Sequence, residues 1–156
     1  MIYSLLKFII GLFIIFLILA FVRTWQMEHV QNQARFKSGI IPNPLPNGLY
    51  TGTVSNNRVN WQGKKFDAAT ASGINLFENG KENQTEKYTF KTSIGKGIRD
   101  IDIRVFKIDY DVVGNPWWLR PVLDEIVQVE QDQYLGKLHV RLFGFVWTWA
   151  YFELKK

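Results

Sequence analysis

Hydrophobic positions follow two different periods along this chain. From Ile2 to Val22, "IYSLLKFIIGLFIIFLILAFV", they are almost continuous, interrupted by one charge, Lys7. A bilayer-spanning helix needs about 20 apolar residues, so residues 1–23 are expected to form a transmembrane anchor. A cleaved signal peptide is shorter and ends on a small-x-small site. Here Ala20 is the only small residue near the end of the run, before Phe21, Val22 and Arg23, so the anchor is expected to stay uncleaved. Lys7 and Arg23 flank opposite sides and give little positive-inside bias. A first helix followed by a folded domain places that domain outside the cytoplasm, in the periplasm for a bacterial protein.

Residues 24–48 read as a juxtamembrane helix and a proline-rich spacer. "TWQMEHVQNQARFK" can continue as helix, with Trp25 where an aromatic marks the membrane interface and His29 as a solvated polar residue. "SGIIPNPLPNG" then carries Pro42, Pro44 and Pro46 at alternate positions. That density stops a helix and favours a stiff, extended chain between membrane and domain.

From Leu49 the period falls to two. "LYTGTV" and "NRVNWQGKKFD" flank an Asn56-Asn57 turn. "ASGINLFENGKE" ends at Asn79-Gly80, a strong hairpin signal. "EKYTFKTSIGKG" closes on Gly95 and Gly97. In "DIDIRVFKIDYDVV", Ile101, Ile103 and Val105 share one parity while Ile108, Tyr110 and Val112 share the other. The switch at Phe106-Lys107 predicts a bulge that turns a barrel corner. "EIVQVEQDQ", "YLGKLHVRLF" and "FVWTWAYFELK" follow, with Leu138, Val140 and Leu142 alternating against Lys137, His139 and Arg141. Strands joined by short turns, with no βαβ spacing, predict a mainly β chain. Residues 49–156 are expected to form an antiparallel, lipocalin-like up-and-down barrel of about eight strands, with a sandwich as second choice. Its core is expected to lie wholly after Leu49.

One segment interrupts the strands: "GNPWWLRPVLDE", Gly114 to Glu125. Asn115 is a good N-cap and Pro116 a good first helical residue, while Pro121 limits the helix. A short inserted helix is expected, with Val122, Leu123, Ile126 and Val127 as its apolar continuation. Trp117 and Trp118 can plug the barrel, form a lid over a cavity, or touch the membrane. The candidate ligand-binding or lid residues are Trp117, Trp118, Tyr50, Trp61, Tyr110, Trp147 and Trp149.

"NGLYTGTV" followed by "NWQGKKFD" resembles the Gly-aromatic-Gly opening of calycin (lipocalin-like) barrels, with Tyr50 where that opening carries tryptophan. "NPWWLRPVLDEIVQV" and "YLGKLHVR" resemble segments of bacterial membrane-anchored barrel proteins. The resemblance extends over residues 47–156. It implies a barrel that binds a small apolar ligand or serves as a structural module, and it carries over no catalytic residue.

Composition narrows the function classes. The 156 residues are enough for one domain with a proper core. The net charge of +5 is concentrated near the N-terminus, because Lys7, Arg23, Arg35 and Lys37 precede residue 49 with one acid, Glu28. The nearly balanced remainder gives no basic face for nucleic acid. With no cysteine, disulfides, a lipoprotein cysteine and thiolate metal sites are excluded. His139 alternates with Lys137 and Arg141 and reads as a polar-face residue. Asp100, Asp102, Asp109 and Asp111 read as the polar side of a sheet beside Arg104 and Lys107. No catalytic residue, metal or cofactor is expected. The leading expectation is a membrane-tethered, non-enzymatic barrel that binds a lipid-like or other apolar ligand. The alternative is an accessory or assembly subunit of a larger membrane protein complex.

Overall fold

Each strand pairs antiparallel with its neighbour in the chain, and the last returns to the first. The computed structural model describes residues 2–54, 60–79 and 83–156. Two helices, α1 (Ile2–Glu28) and α2 (Gln31–Ser38), precede the strands. These are β1 (Gly48–Val54), β2 (Trp61–Asp67), β3 (Ser72–Asn79), β4 (Asn83–Lys96), β5 (Arg104–Asp109), β6 (Val122–Glu130), β7 (Gln133–Leu142) and β8 (Phe145–Lys155). They close in sequence order, with β1 paired to β8 from Thr51↔Lys155 to Val54↔Phe152. Closure removes the free sheet edges that open β structures must hide. The expected turns at Asn56-Asn57 and Asn79-Gly80 lie wholly or partly outside the described residues, although Asn79 pairs with Asn83 as a hairpin requires.

Two buried clusters hold the fold. The first fills the barrel and includes Tyr50, Phe66, Phe90, Phe106, Ile108, Tyr110, Ile126, Tyr134 and Phe152. The second lies on the outside, where Phe36 of α2 packs with Val105, Val127, Leu135 and Tyr151, flanked by Met27 and Ile103. The core is therefore not confined to residues after Leu49.

This second cluster also corrects the expected bulge. β5 runs from Lys96↔Arg104 to Lys91↔Asp109 on one side and from Phe106↔Ile126 to Asp109↔Leu123 on the other, without a register shift at Phe106-Lys107. Both parities are apolar because both faces are covered. Phe106 and Ile108 point into the barrel, and Ile103 and Val105 lie under α2. Residues 101–103 belong to the preceding turn, where Ile101 is exposed.

The inserted segment is also shorter than expected. Pro116 to Arg120 makes a single turn, with the Leu119 and Arg120 N–H groups both donating to the Pro116 carbonyl. Val122 already begins β6. The expected helical face is therefore a strand, in which Ile126 faces the interior and Val127 the outer cluster.

Polar networks seat the helices on the barrel. Lys137 Nζ donates to Gln33 Oε1 and to Asp100 Oδ2, each at 2.7 Å, and Gln33 Nε2 donates to Asp100 Oδ1 at 2.7 Å. Tyr151 OH also donates to Gln33 Oε1. Lys137, Asp100 and His139 are thus buried groups of a covered outer face, not members of a solvated one. His139 Nδ1 lies 3.2 Å from Thr148 Oγ1, and its Nε2 lies 3.3 Å from Glu125 Oε2. The residues expected to hold membrane and domain apart instead lie along β6. Ile40 and Gln128 exchange backbone hydrogen bonds, and the Asn43 N–H donates to Gln128 Oε1.

α1 is long and apolar enough to cross a membrane, and its C-terminal part lies on β8. Ala20 and Thr24 are buried there. Thr148 N–H donates to Thr24 Oγ1 at 3.0 Å, and Arg23 Nε donates to the Trp149 carbonyl at 2.8 Å. These bonds satisfy backbone groups on the part of β8 that has run past β1.

Phe36 tests the second core. Phe36→Ala is expected to cost about 3–5 kcal/mol in urea unfolding, whereas Ile101→Ala stays within about 0.5 kcal/mol. Equal, small effects would show that α2 contributes nothing to the domain.

Candidate functional site

Two backbone irregularities shape the inner wall of the barrel. In β2 the register shifts between Trp61 and Gly63. Gly63 has φ +137°, and a Cβ there would lie 1.9 Å from the Tyr50 carbonyl oxygen, so only glycine fits. The shift lets Trp61 and Phe66 both join the interior cluster although their spacing is odd. It also turns Lys64 to the inside. In β4, Tyr88 is an extra residue with φ +64° between the pairs Asn75↔Lys87 and Ile74↔Thr89. That bulge aims its ring at the same space. Beyond β5, Tyr110 is held by its N–H bond to the Val122 carbonyl.

Among the described residues the walls surround a partly open cavity of about 490 Å³, with Trp118 and Leu119 at one end. The volume falls within the range of small-molecule sites. Val54, Trp61, Phe77, Val122, Leu138 and Phe152 supply much of an apolar lining. Trp118 meets Tyr88 edge to face at the rim, with ring centroids 5.7 Å apart.

One wall is polar. Lys64 Nζ donates to Asn75 Oδ1 and Asp124 Oδ2, each at 2.9 Å, and also to Tyr110 OH. The Lys64 and Asp124 side chains are only 2% and 3% exposed. Trp61 Nε1 donates to Asn75 Oδ1, and Asn75 Nδ2 donates to the Tyr88 carbonyl and Tyr110 OH. Tyr110 OH lies 3.2 Å from Asp124 Oδ2, to which it can donate. All three ammonium hydrogens are thereby engaged, while Asp124 Oδ1 has no hydrogen-bond partner. Desolvation pushes the Lys64 ammonium below its usual 10.5, partly opposed by the Asp124 charge. Burial, then the same carboxylate, pushes the Tyr110 hydroxyl well above 10. Chemically, the cavity offers a large apolar volume and a small ionic wall. Among the described residues no three His, Asp or Glu side chains are grouped to hold a metal.

The candidate residues separate in space. Trp61, Tyr110 and Trp118 line the cavity. Tyr50 lies in the interior cluster, edge to face with Phe66 and Tyr134, and does not line the cavity. Trp147 and Trp149 line a separate cleft against Phe16 and Ala20 of α1. Neither adjacent indole plugs the barrel, since Trp117 is 82% exposed and Trp118 51%. Sequence reasoning missed Lys64, Asn75, Tyr88 and Asp124. Gly63 was the available signal, because a glycine inside a strand marks a bulge and shifts the parity beyond it.

The Lys64–Asp124 pair gives a second prediction. Asp124→Leu strands a buried ammonium and is expected to cost about 3–5 kcal/mol, while adding Lys64→Met to Asp124→Leu recovers most of that loss. Urea unfolding of the two single variants and the double variant measures the coupling. Additive losses would contradict a mutually dependent pair.

Comparison with protein-family models, curated proteins and solved structures finds no match to this chain.

Proposed function

We propose that this protein is a membrane-tethered, non-enzymatic binding module whose barrel takes up a lipid-like, mainly apolar molecule. The observation that carries this reading is the 490 Å³ cavity, apolar over most of its lining, with Trp118 and Leu119 at one end. Burying an aliphatic chain there gains about 25 cal/mol for each Å² of apolar surface removed from water. The calycin-like reading of the domain draws support from eight strands that close in sequence order.

The tether rests on α1. The Arg23–Trp149 and Thr24–Thr148 contacts tie the end of the apolar helix to β8, and buried Ala20 packs against the same face. Cleavage near Ala20 would cut the helix at this packed surface, so these contacts support a retained anchor. The domain then lies outside the cytoplasm, beside the membrane that holds it.

Probe binding tests the cavity. Full-length protein in phosphatidylcholine nanodiscs is expected to bind a fluorescent long-chain acyl probe saturably, above the background of empty nanodiscs. Ala150 lines the cavity, and Ala150→Trp is expected to weaken binding at least tenfold, a loss of about 1.4 kcal/mol. Trp118→Ala alters affinity while the barrel stays folded, and Trp117→Ala leaves it unchanged. Wild-type protein without saturable binding would overturn the reading and put the accessory-subunit role in its place.

A further inference from the structure

The β7–β8 turn is built from residues that suit water poorly. Leu142 and Phe145 pair across a two-residue turn made by Phe143 and Gly144, with φ of 55° and 78°. Asparagine or glycine normally fills such positions, and a phenylalanine with positive φ is uncommon. Phe143 is nevertheless 64% exposed, and Phe145 is exposed too. Phe143 meets Phe13 of α1 edge to face, with centroids 5.2 Å apart. The hairpin therefore runs beside α1 from the Thr24–Thr148 contact down to Phe13.

We infer that the β7–β8 tip enters the hydrocarbon of the bilayer beside α1, and that the barrel mouth faces the membrane surface. This rests on the proposed tether, and helix length then forces the rest. From Ile2 to Phe13 α1 rises only about 16 Å, whereas the hydrocarbon core is about 30 Å thick. The part of α1 beyond the hairpin cannot span alone, so a spanning α1 carries the tip in with it.

The chemistry of the tip matches that depth. From Leu142 to Trp147 the hairpin has no charged residue. Arginines form a band just above it. Arg141 holds Asp109 and the carbonyls of Arg120 and Pro121, Arg99 reaches the Val146 carbonyl, and Arg23 reaches Trp149. Arginine at the level of the headgroups with apolar side chains beneath is the order a bilayer interface favours. The Arg141 contacts also place the 111–121 segment at this end of the barrel, where Val113 and Trp117 are exposed. Trp118 joins them at the cavity rim. An apolar molecule can then pass from the membrane to the cavity without crossing open water.

The absence of cysteine allows a direct depth measurement. Nitroxide labels at Phe143→Cys, Phe145→Cys, Trp117→Cys, Ile9→Cys and Ala69→Cys are placed one at a time in full-length protein, in phosphatidylcholine vesicles. Relaxation by oxygen and by a water-soluble nickel chelate reports depth. Labels at residues 143, 145 and 9 are expected to show at least tenfold the oxygen-to-nickel ratio of the label at 69, with the label at 117 between them. A watery site at 143 and 145 with a buried site at 9 would overturn the inference and leave the tether standing. A watery site at 9 as well would overturn both.

Discussion

Gln33 locks the helical arm to the barrel, and the position of α1 along β8 follows from that lock. Its amide oxygen accepts from Lys137 and Tyr151 and its amide nitrogen donates to Asp100, while Lys137 and Asp100 also pair with each other. Every ionised partner in the group is thus compensated, the condition under which a buried polar network specifies one arrangement. With α2 held over β6 and β7, Phe36 closes the outer cluster. α1 then leaves the barrel along β8, with Arg23 meeting the Trp149 carbonyl and Thr24 the Thr148 N–H. The proposed orientation of the cavity mouth depends on this sequence of contacts.

Inside the barrel a different balance holds. An ammonium on the wall of an apolar cavity is costly, and pairing it with a carboxylate rarely offsets that cost fully. Here the ion pair comes with Asn75 and Tyr110, so the ammonium's hydrogens are all engaged while Asp124 Oδ1 is left without a partner. Apolar residues would fill the same volume more cheaply. In the proposed binding role, this wall would orient a molecule with a small polar end in an otherwise apolar site.

The architecture was legible where one physical signal dominated. Apolar length marked α1, and the period of two marked the strands, because in both cases the pattern states which surface leaves water. The reading failed where the chain covers its own exterior. Ile103, Val105 and Ile108 looked like a parity switch because the helix expected over "QNQARFKS" carries no apolar stripe to announce that it docks Phe36 against the outside of β5 and β6. The site was half legible. Trp61, Tyr110 and Trp118 were found by aromatic character, but Lys64 and Asp124 were not, since a charge in a strand ordinarily faces solvent. The bulge at Gly63 reverses that expectation for Lys64. Trp117 and Trp118 are adjacent in sequence yet serve different surfaces, a division set by the single turn at Pro116 and invisible to composition.

Whether the cavity takes up a lipid-like molecule is decided by native mass spectrometry of gently extracted full-length protein. The expected spectrum shows the polypeptide mass plus one aliphatic molecule, kept at collision energies that strip loosely associated lipids and lost in the Ala150→Trp variant. A wild-type protein that flies as bare polypeptide at those energies would contradict it.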